Sequence, residues 1–161
     1  MNFEIKPINL AQTKETCIKF REDSYVVSFG DAKRFYEADG KGADRYIEWL
    51  HSKLEKDPGL AVHCFLDGEL IGQIELGYLK TDSTCGYVNL FYLIPSVRGK
   101  GLGAHLDIYA IDYFKAKNIK RVMLSVSPTN TSAIAFYKKR GWIELGPRPD
   151  HPEVHNMEKS I

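Results

Sequence analysis

Three glycines and two basic residues cluster in mid-chain, in the segment Arg98-Gly99-Lys100-Gly101-Leu102-Gly103-Ala104. The apolar run Tyr87–Ile94 before it predicts a strand, and the stretch Leu102–Asn118 predicts a helix. Glycines allow positive φ and a close approach of backbone N–H groups to a ligand. A helix N-terminus adds free N–H donors and partial positive charge. The segment therefore predicts a pyrophosphate cradle, which Arg98 and Lys100 would supplement with full charges.

Other interpretations of the glycine segment remain open. It could be a sharp strand-to-helix turn whose glycines serve packing alone. A dinucleotide-binding fold requires GxGxxG after an early strand, inside repeated βαβ units. Here Gly99, Gly101 and Gly103 form GxGxG after a predicted hairpin. The GxxxxGK[ST] pattern of a P-loop is absent.

A second group of candidate residues surrounds a predicted helix from about Ser132 to Arg140. Asn130 precedes it and is a residue type that caps helices. Tyr137 could be an ordinary aromatic side chain on the core side of this helix. Gly141 stands at a position where a left-handed residue ends a helix.

The hydrophobic period changes along the chain and predicts the remaining elements. Asp67-Gly68 is a strong two-residue hairpin signal. The run Tyr87–Ile94 has only Asn89 as a polar residue, so we expect a strand buried on both faces. Further strands are expected at Phe3–Pro7, Ala61–Leu66, Glu69–Leu79, Arg121–Val126, Trp142–Leu145 and Val154–Lys159, further helices at Leu10–Arg21 and Ala43–Lys56, and a loop at Gly146–Pro149.

The resulting order is β-α-α-β-β-β-α-β-α-β-β. It predicts an α/β (α+β) protein with a mixed, mostly antiparallel sheet of six to seven strands and helices on both faces. With 161 residues and no linker or repeat, we expect one domain over residues 1–161.

Composition excludes several classes of function. The net charge of +1, from 22 basic and 21 acidic residues, favours neither nucleic acid nor an anionic membrane. Cys17, Cys64 and Cys85 are widely spaced, which predicts neither a disulfide framework nor a metal site. We also expect no signal peptide and no membrane-spanning helix, since no apolar run approaches about 20 residues. The cytoplasm is the simplest location.

Two motifs together resemble the GNAT family of N-acetyltransferases. The coenzyme A signature of that family is Arg or Gln followed by x-x-Gly-x-Gly or Ala, which Arg98, Gly101 and Gly103 match. The wider segment from Leu93 to Gly103 resembles V-x-P-x-x-R-G-x-G-I-G.

The downstream motif is Asn130-x-x-Ala133-x-x-x-Tyr137-x-x-x-Gly141-Trp142, which resembles N-x-x-A-x-x-x-Y-x-x-x-G-F of the same family. The order of elements agrees with the family over nearly the whole chain.

The resemblance implies that acetyl-CoA is the cosubstrate and that no metal is needed. The backbone at Phe91–Leu93 would pair with the pantetheine arm, and the N–H groups of Gly99–Ala104 would hold the pyrophosphate. Asn130 would contact the arm and Tyr137 would point at the thioester sulfur. The full set is Phe91, Tyr92, Leu93, Arg98, Gly99, Lys100, Gly101, Leu102, Gly103, Ala104, Asn130 and Tyr137.

Acetylation by direct attack requires a neutral amine, although a lysine-type amine has a pKa near ~10.4. A general base would remove its proton, and a strand N–H would stabilise the oxyanion. Tyr137 would protonate the departing thiolate, whose thiol has a pKa of ~8.5.

No acid stands at either position where the family carries its general base. Some family members have a carboxylate early on the strand before the glycine turn, where this chain has Tyr87 and Asn89. Others have a Glu at the position of Ser125. Glu75 is the best remaining candidate, although an acid on a strand is more often solvent-exposed. Asp23, Glu37 and Asp82 are weaker candidates, and base catalysis through ordered water stays open.

The leading hypothesis is an N-acetyltransferase that acts on a primary amine of a small molecule, peptide or protein. Tyr25–Tyr46 and Arg148–His155 are expected to frame the acceptor, and aromatics with acids could receive a cationic amine. A homodimer is possible. The alternatives are a non-catalytic acyl-CoA-binding module and a nucleotide-binding protein.

Overall fold

The computed structural model describes residues Met1–Ile161 as seven strands and five helices. The elements in chain order are β1 Phe3–Pro7, α1 Leu10–Phe29, α2 Lys33–Tyr36, α3 Gly42–Lys56, β2 Ala61–Leu66, β3 Glu69–Tyr78, β4 Cys85–Leu93, α4 Gly103–Ala116, β5 Arg121–Val126, α5 Thr131–Lys139, β6 Ile143–Arg148 and β7 His151–Ser160.

The strands form one sheet in the order β1-β2-β3-β4-β5-β7-β6. The pairs β1/β2, β2/β3, β5/β7 and β6/β7 are antiparallel, whereas β4 and β5 run parallel. The predicted mixed, mostly antiparallel sheet is confirmed. The order of elements is also confirmed, with the one-turn helix α2 in addition.

The chain forms two compact units. Residues 1–75 and 91–98 make the first unit, and residues 76–90 and 99–161 make the second. Strands β3 and β4 contribute residues to both.

The core of the first unit lies under α1 and α3. Cys17 of α1 and Tyr46 and Leu50 of α3 are buried in one cluster with Ile8 and Phe35. The spacing of four between Tyr46 and Leu50 places both side chains on one face of α3.

The core of the second unit lies under α4. Leu106, Ala110 and Phe114 follow one another at intervals of four and are buried. A Cβ added at Gly86 of β4 would lie 2.7 Å from the Phe114 ring. The glycine therefore permits strand and aromatic ring to meet.

Two predicted boundaries are wrong. Helix α1 continues past Arg21 to Phe29 and ends at Gly30, which has a φ of 88° and donates its N–H to the Val26 oxygen at 2.8 Å. In the added turns Tyr25 packs against the core, whereas Val26 and Val27 are exposed.

The predicted loop at Gly146–Pro149 is also wrong, because β6 continues to Arg148. Pro147 cannot donate a ladder hydrogen bond, but β6 is an edge strand, where proline is tolerated. The register shifts around Gly146 and again after Pro147 absorb the irregularity.

Strand β4 is buried on one face rather than two. Val88, Leu90 and Tyr92 are buried, whereas Asn89 and Phe91 between them are partly exposed.

Each helix is too short or too polar to cross a membrane.

We predict that Gly86→Ala lowers the free energy of unfolding by about 1–3 kcal/mol, because the new methyl group overlaps the Phe114 ring. Urea unfolding measures this loss. In the double variant with Phe114→Leu, the smaller side chain should make the combined loss less than the sum of the two. Strictly additive losses would show that the two residues are not in contact.

Candidate functional site

The glycine turn joins a short 3-10 turn, Pro95–Val97, to the first residue of α4. Gly99 and Gly101 have φ values of 73° and 81°, which confirms the predicted positive φ. A Cβ at either position would meet nothing within 4 Å, so backbone conformation rather than space requires glycine there. Gly103 differs, because its Cβ would lie 3.1 Å from the Phe136 ring.

Arg98 contacts protein groups at the start of this turn. Its Nε donates to the Leu93 oxygen at 2.8 Å and its Nη2 donates to Asp23 at 2.7 Å. Its guanidinium also lies 5.3 Å from the centre of the Tyr92 ring. Arg98 therefore ties the end of β4 to α1, and a contact with pyrophosphate stays a prediction.

Side chains of α1 hold the end of β4 in place through Tyr92. Tyr92 stacks on Phe20 with ring centres 4.6 Å apart and donates its hydroxyl to Asp23 at 2.6 Å. Burial and this hydrogen bond raise the pKa of Tyr92. The registered parallel pairs of β4 with β5 run only from Cys85 to Val88, so Phe91–Leu93 follow the last of them.

Asn130 directly precedes α5, and Tyr137 lies on it. The Asn130 Oδ1 accepts the Ala133 N–H at 3.3 Å, so Asn130 caps this helix. Tyr137 is partly exposed, and its ring packs edge-on against Phe136 and Trp142. Burial raises the pKa of Tyr137, and the charge of Asp107 adds to this rise. The phenol is protonated at neutral pH, as a general acid must be, but its raised pKa makes it a weaker proton donor toward a thiolate.

Glu75 is fully buried in the first unit, so its interpretation as a solvent-exposed strand acid is wrong. One carboxylate oxygen pairs with the Arg21 guanidinium. The other accepts from the Tyr46 hydroxyl at 2.5 Å and from Gln73 Nε2 at 2.6 Å. Its role as general base stays a prediction.

A chain of buried polar side chains continues from Glu75. Gln73 Oε1 lies 2.8 Å from His63 Nε2, which lies 3.7 Å from the Cys17 sulfur. Burial lowers the pKa of His63 and raises that of Cys17 to about 12, so both stay neutral near pH 7. The only charges in this network are therefore those of Arg21 and Glu75.

Residues 20–142 match the sequence profile of the acetyltransferase (GNAT) family. The chain belongs to this family. The match includes both the glycine turn and the Asn130–Tyr137 motif, so the resemblance seen in the sequence is confirmed.

Two proteins from other organisms are similar in sequence to part of this chain. A mycothiol acetyltransferase from Renibacterium salmoninarum is 37% identical over 57 residues, which are 35% of this chain and 17% of that protein. An uncharacterized N-acetyltransferase from Methanocaldococcus jannaschii is 26% identical over 136 residues, which are 82% of this chain and 58% of that protein. Both matches span less than two thirds of the relative.

A solved structure resembles the whole chain. The PaiA N-acetyltransferase from Thermoplasma acidophilum, in complex with coenzyme A, superposes with a TM-score of 0.70 at 24% identity, with 100% of both chains covered. This similarity confirms the fold.

In this GNAT protein, a pocket of about 430 Å³ opens on the first unit. Its walls combine aromatic rings with guanidinium groups. The lining residues are Arg21, Tyr25, Arg34, Phe35, Glu37, Gly42, Arg45, Tyr46 and Trp49. Most of the lining belongs to the predicted acceptor segment Tyr25–Tyr46, whereas Arg21 and Trp49 lie outside that segment and Arg148–His155 contributes no residue. However, Glu37 and Asp39 both bind Arg45, at 3.1 Å and 2.6 Å, so neither acid is without a basic partner.

Of the positions compared with bases of some family members, namely Tyr87, Asn89 and Ser125, the structure brings Tyr87 and Ser125 into contact in the second unit. The Tyr87 hydroxyl lies 2.6 Å from the Ser125 hydroxyl, which donates to Asn156 Oδ1 at 3.0 Å. Sequence reasoning missed Asn156, since its partners lie on other strands and no motif includes it.

The weaker base candidates are engaged as well. Asp23 accepts from Tyr92 and Arg98, and Asp82 accepts from the Thr84 hydroxyl at 2.5 Å. No group of three or more His, Cys, Asp or Glu side chains is arranged to hold a metal ion.

We predict that Arg21→Met lowers the free energy of unfolding by about 3–5 kcal/mol, because it leaves the Glu75 carboxylate buried without its counter-ion. Arg45→Met is the matched control. It breaks pairs in which both partners are about half exposed, so its effect should be much smaller.

The double variant Arg21→Met/Glu75→Leu should recover most of the stability, because it removes both charges. Thermal and urea unfolding measure all three. Equal losses for Arg21→Met and Arg45→Met would contradict the importance assigned to the buried pair.

Proposed function

We propose that this protein is an N-acetyltransferase that transfers the acetyl group of acetyl-CoA to a primary amine. The amine of a small molecule or peptide would attack directly, in a ternary complex, and residues 1–161 would act as one acetyltransferase domain. The observation that carries the proposal is the glycine turn, with positive φ at Gly99 and Gly101 directly before α4.

The turn suits a pyrophosphate for two reasons. Residues with positive φ next to ordinary ones direct successive N–H groups to one side, which forms an anion-binding concavity. The N-terminus of α4 adds its own unpaired N–H groups. Lys100 is exposed and would add a positive charge. The backbone at Phe91–Leu93 would hold the pantetheine arm.

We predict that Gly101→Val weakens acetyl-CoA binding about tenfold. A β-branched side chain at this positive φ costs roughly 1–2 kcal/mol and displaces the N–H groups of the turn. Calorimetric titration with acetyl-CoA measures the change.

Gly30→Val is the matched control. Gly30 also has positive φ and open space around its Cβ position, but it ends α1. Its substitution should impose similar strain and leave acetyl-CoA affinity unchanged. If both variants weaken binding equally, the turn has no special role.

The chemistry requires a thioester, which acetyl-CoA supplies, and two proton transfers. Tyr137 would donate a proton to the departing thiolate. Glu75 would receive the amine proton through Tyr46, whose hydroxyl contacts the carboxylate and whose side chain lines the pocket. The similarity to mycothiol acetyltransferases favours a small-molecule amine as the acceptor.

We predict that Tyr137→Phe lowers kcat about 10²-fold, because the general acid is lost. The affinity for acetyl-CoA should stay nearly unchanged, since the ring and its packing against Trp142 are retained. Release of CoA thiol, screened over small amines, amino acids and peptides, measures turnover. Equal turnover by the wild type and the variant would contradict the role.

A non-catalytic acyl-CoA-binding module is the second candidate. The observation that favours it is Glu75, whose two oxygens already have partners. Selective binding of acetyl-CoA with no CoA release by any acceptor would support this alternative.

For either function we propose a cytoplasmic location. The free, buried cysteines Cys17, Cys64 and Cys85 agree with a reducing compartment.

A further inference from the structure

Asp107 is a fully buried acid in the second turn of α4, four residues after Gly103. Three donors surround its carboxylate. Trp142 Nε1 lies 2.9 Å from Oδ1, and Arg140 Nε and Lys159 Nζ lie 3.0 Å and 3.2 Å from Oδ2. Burial of a carboxylate is unfavourable unless such partners compensate it, so this arrangement is fixed.

Two of the three donors, Arg140 and Trp142, follow Tyr137 closely in the chain. The backbone N–H groups of Arg140 and Trp142 both donate to the backbone carbonyl oxygen of Tyr137, at 3.0 Å and 2.9 Å. Gly141 lies between them with a φ of 93°, which permits the tight turn. The Trp142 ring packs on the Tyr137 ring with centres 6.0 Å apart.

Helices α4 and α5 also meet beside Tyr137. Gly103, the first residue of α4, lies so close to the Phe136 ring that a Cβ would approach it to 3.1 Å. Helix α4 therefore contacts the segment on both sides of Tyr137 in sequence, through Gly103 at Phe136 and through Asp107 at Arg140 and Trp142.

We propose that Asp107 is a positioning residue for Tyr137. It holds the end of α5 against α4, and so fixes the phenol relative to the helix whose first turn would bind the pyrophosphate. This inference rests on the proposed function, in which Tyr137 is the general acid. The position of an acid matters because a displacement of about 1 Å can lower a rate about 10²-fold.

The test is a double-mutant cycle with Asp107→Asn and Tyr137→Phe. CoA release from acetyl-CoA is followed with the best acceptor of the screen, or with water as the acceptor if no amine is better. Asp107→Asn should lower kcat by about tenfold or more and leave the KM for acetyl-CoA nearly unchanged. The double variant should be no slower than Tyr137→Phe alone, because Asp107 acts through Tyr137.

Lys159→Met is the matched control. It removes another donor from the same carboxylate but leaves the hydrogen bonds of Arg140 and Trp142 to Asp107 in place, and Lys159 itself lies on β7. A loss of stability without a loss of kcat is expected. If Lys159→Met lowers kcat as much as Asp107→Asn, the effect is one of general stability and the inference is overturned.

A second variant guards against misfolding of Asp107→Asn. Trp142→Phe removes the indole N–H and retains an aromatic ring, and it should show the same kinetic coupling to Tyr137→Phe.

A 3-fluorotyrosine at position 137 gives a readout that needs no acceptor. Its fluorine NMR line should broaden or split in Asp107→Asn and Trp142→Phe and stay single in Lys159→Met.

The outcomes separate this inference from the proposed function. Unchanged turnover in Tyr137→Phe would overturn the general-acid role and the inference with it. A slow Tyr137→Phe combined with a normal Asp107→Asn, or with strictly additive losses, would overturn the inference alone.

Discussion

The second unit depends on how α4 begins and on what it buries. Its start requires a backbone that only glycine adopts readily, at Gly99 and Gly101, and a helix contact in which a Cβ at Gly103 would lie only 3.1 Å from the Phe136 ring. Four residues further on, the same helix buries Asp107. One helix thus follows directly on the glycine turn and anchors the end of α5 through a carboxylate.

The first unit is organised around a different buried charge. Glu75 and Arg21 form an ion pair, and Tyr46 and Gln73 supply the remaining hydrogen bonds of the carboxylate. A buried pair of this kind contributes little net stability compared with apolar residues of the same size, but the loss of one partner is costly. Arg21 and Tyr46, which bind the Glu75 carboxylate, also line the pocket of the first unit.

Much of the fold could be predicted because local chemistry decides it. Asp67 and Gly68 both have positive φ, as the hairpin signal requires. Asn130 caps α5 and Gly141 follows its end, as their residue types indicate. The turn at Gly99 and Gly101 could likewise be recognised, because its conformation is a property of the local chain.

The polar network of each unit could not be predicted, since its members are far apart in sequence. Arg21 and Glu75 are separated by 54 residues, and Asp107 and Trp142 by 35. An acid in a strand gives no local indication that an arginine from a helix will cover it. The extension of β6 through Pro147 was missed for a similar reason, because only the sheet order shows that β6 is an edge strand.

The central claim is that the glycine turn binds acetyl-CoA, and calorimetric titration of the folded protein, free of copurified CoA, tests it most directly. Acetyl-CoA is titrated first, with ATP and NAD as controls. The account predicts selective binding of acetyl-CoA with a Kd in the micromolar range, which corresponds to roughly −8 kcal/mol. Absence of binding, or equal binding of ATP or NAD, would contradict it and would leave the turn a purely structural feature or a nucleotide site.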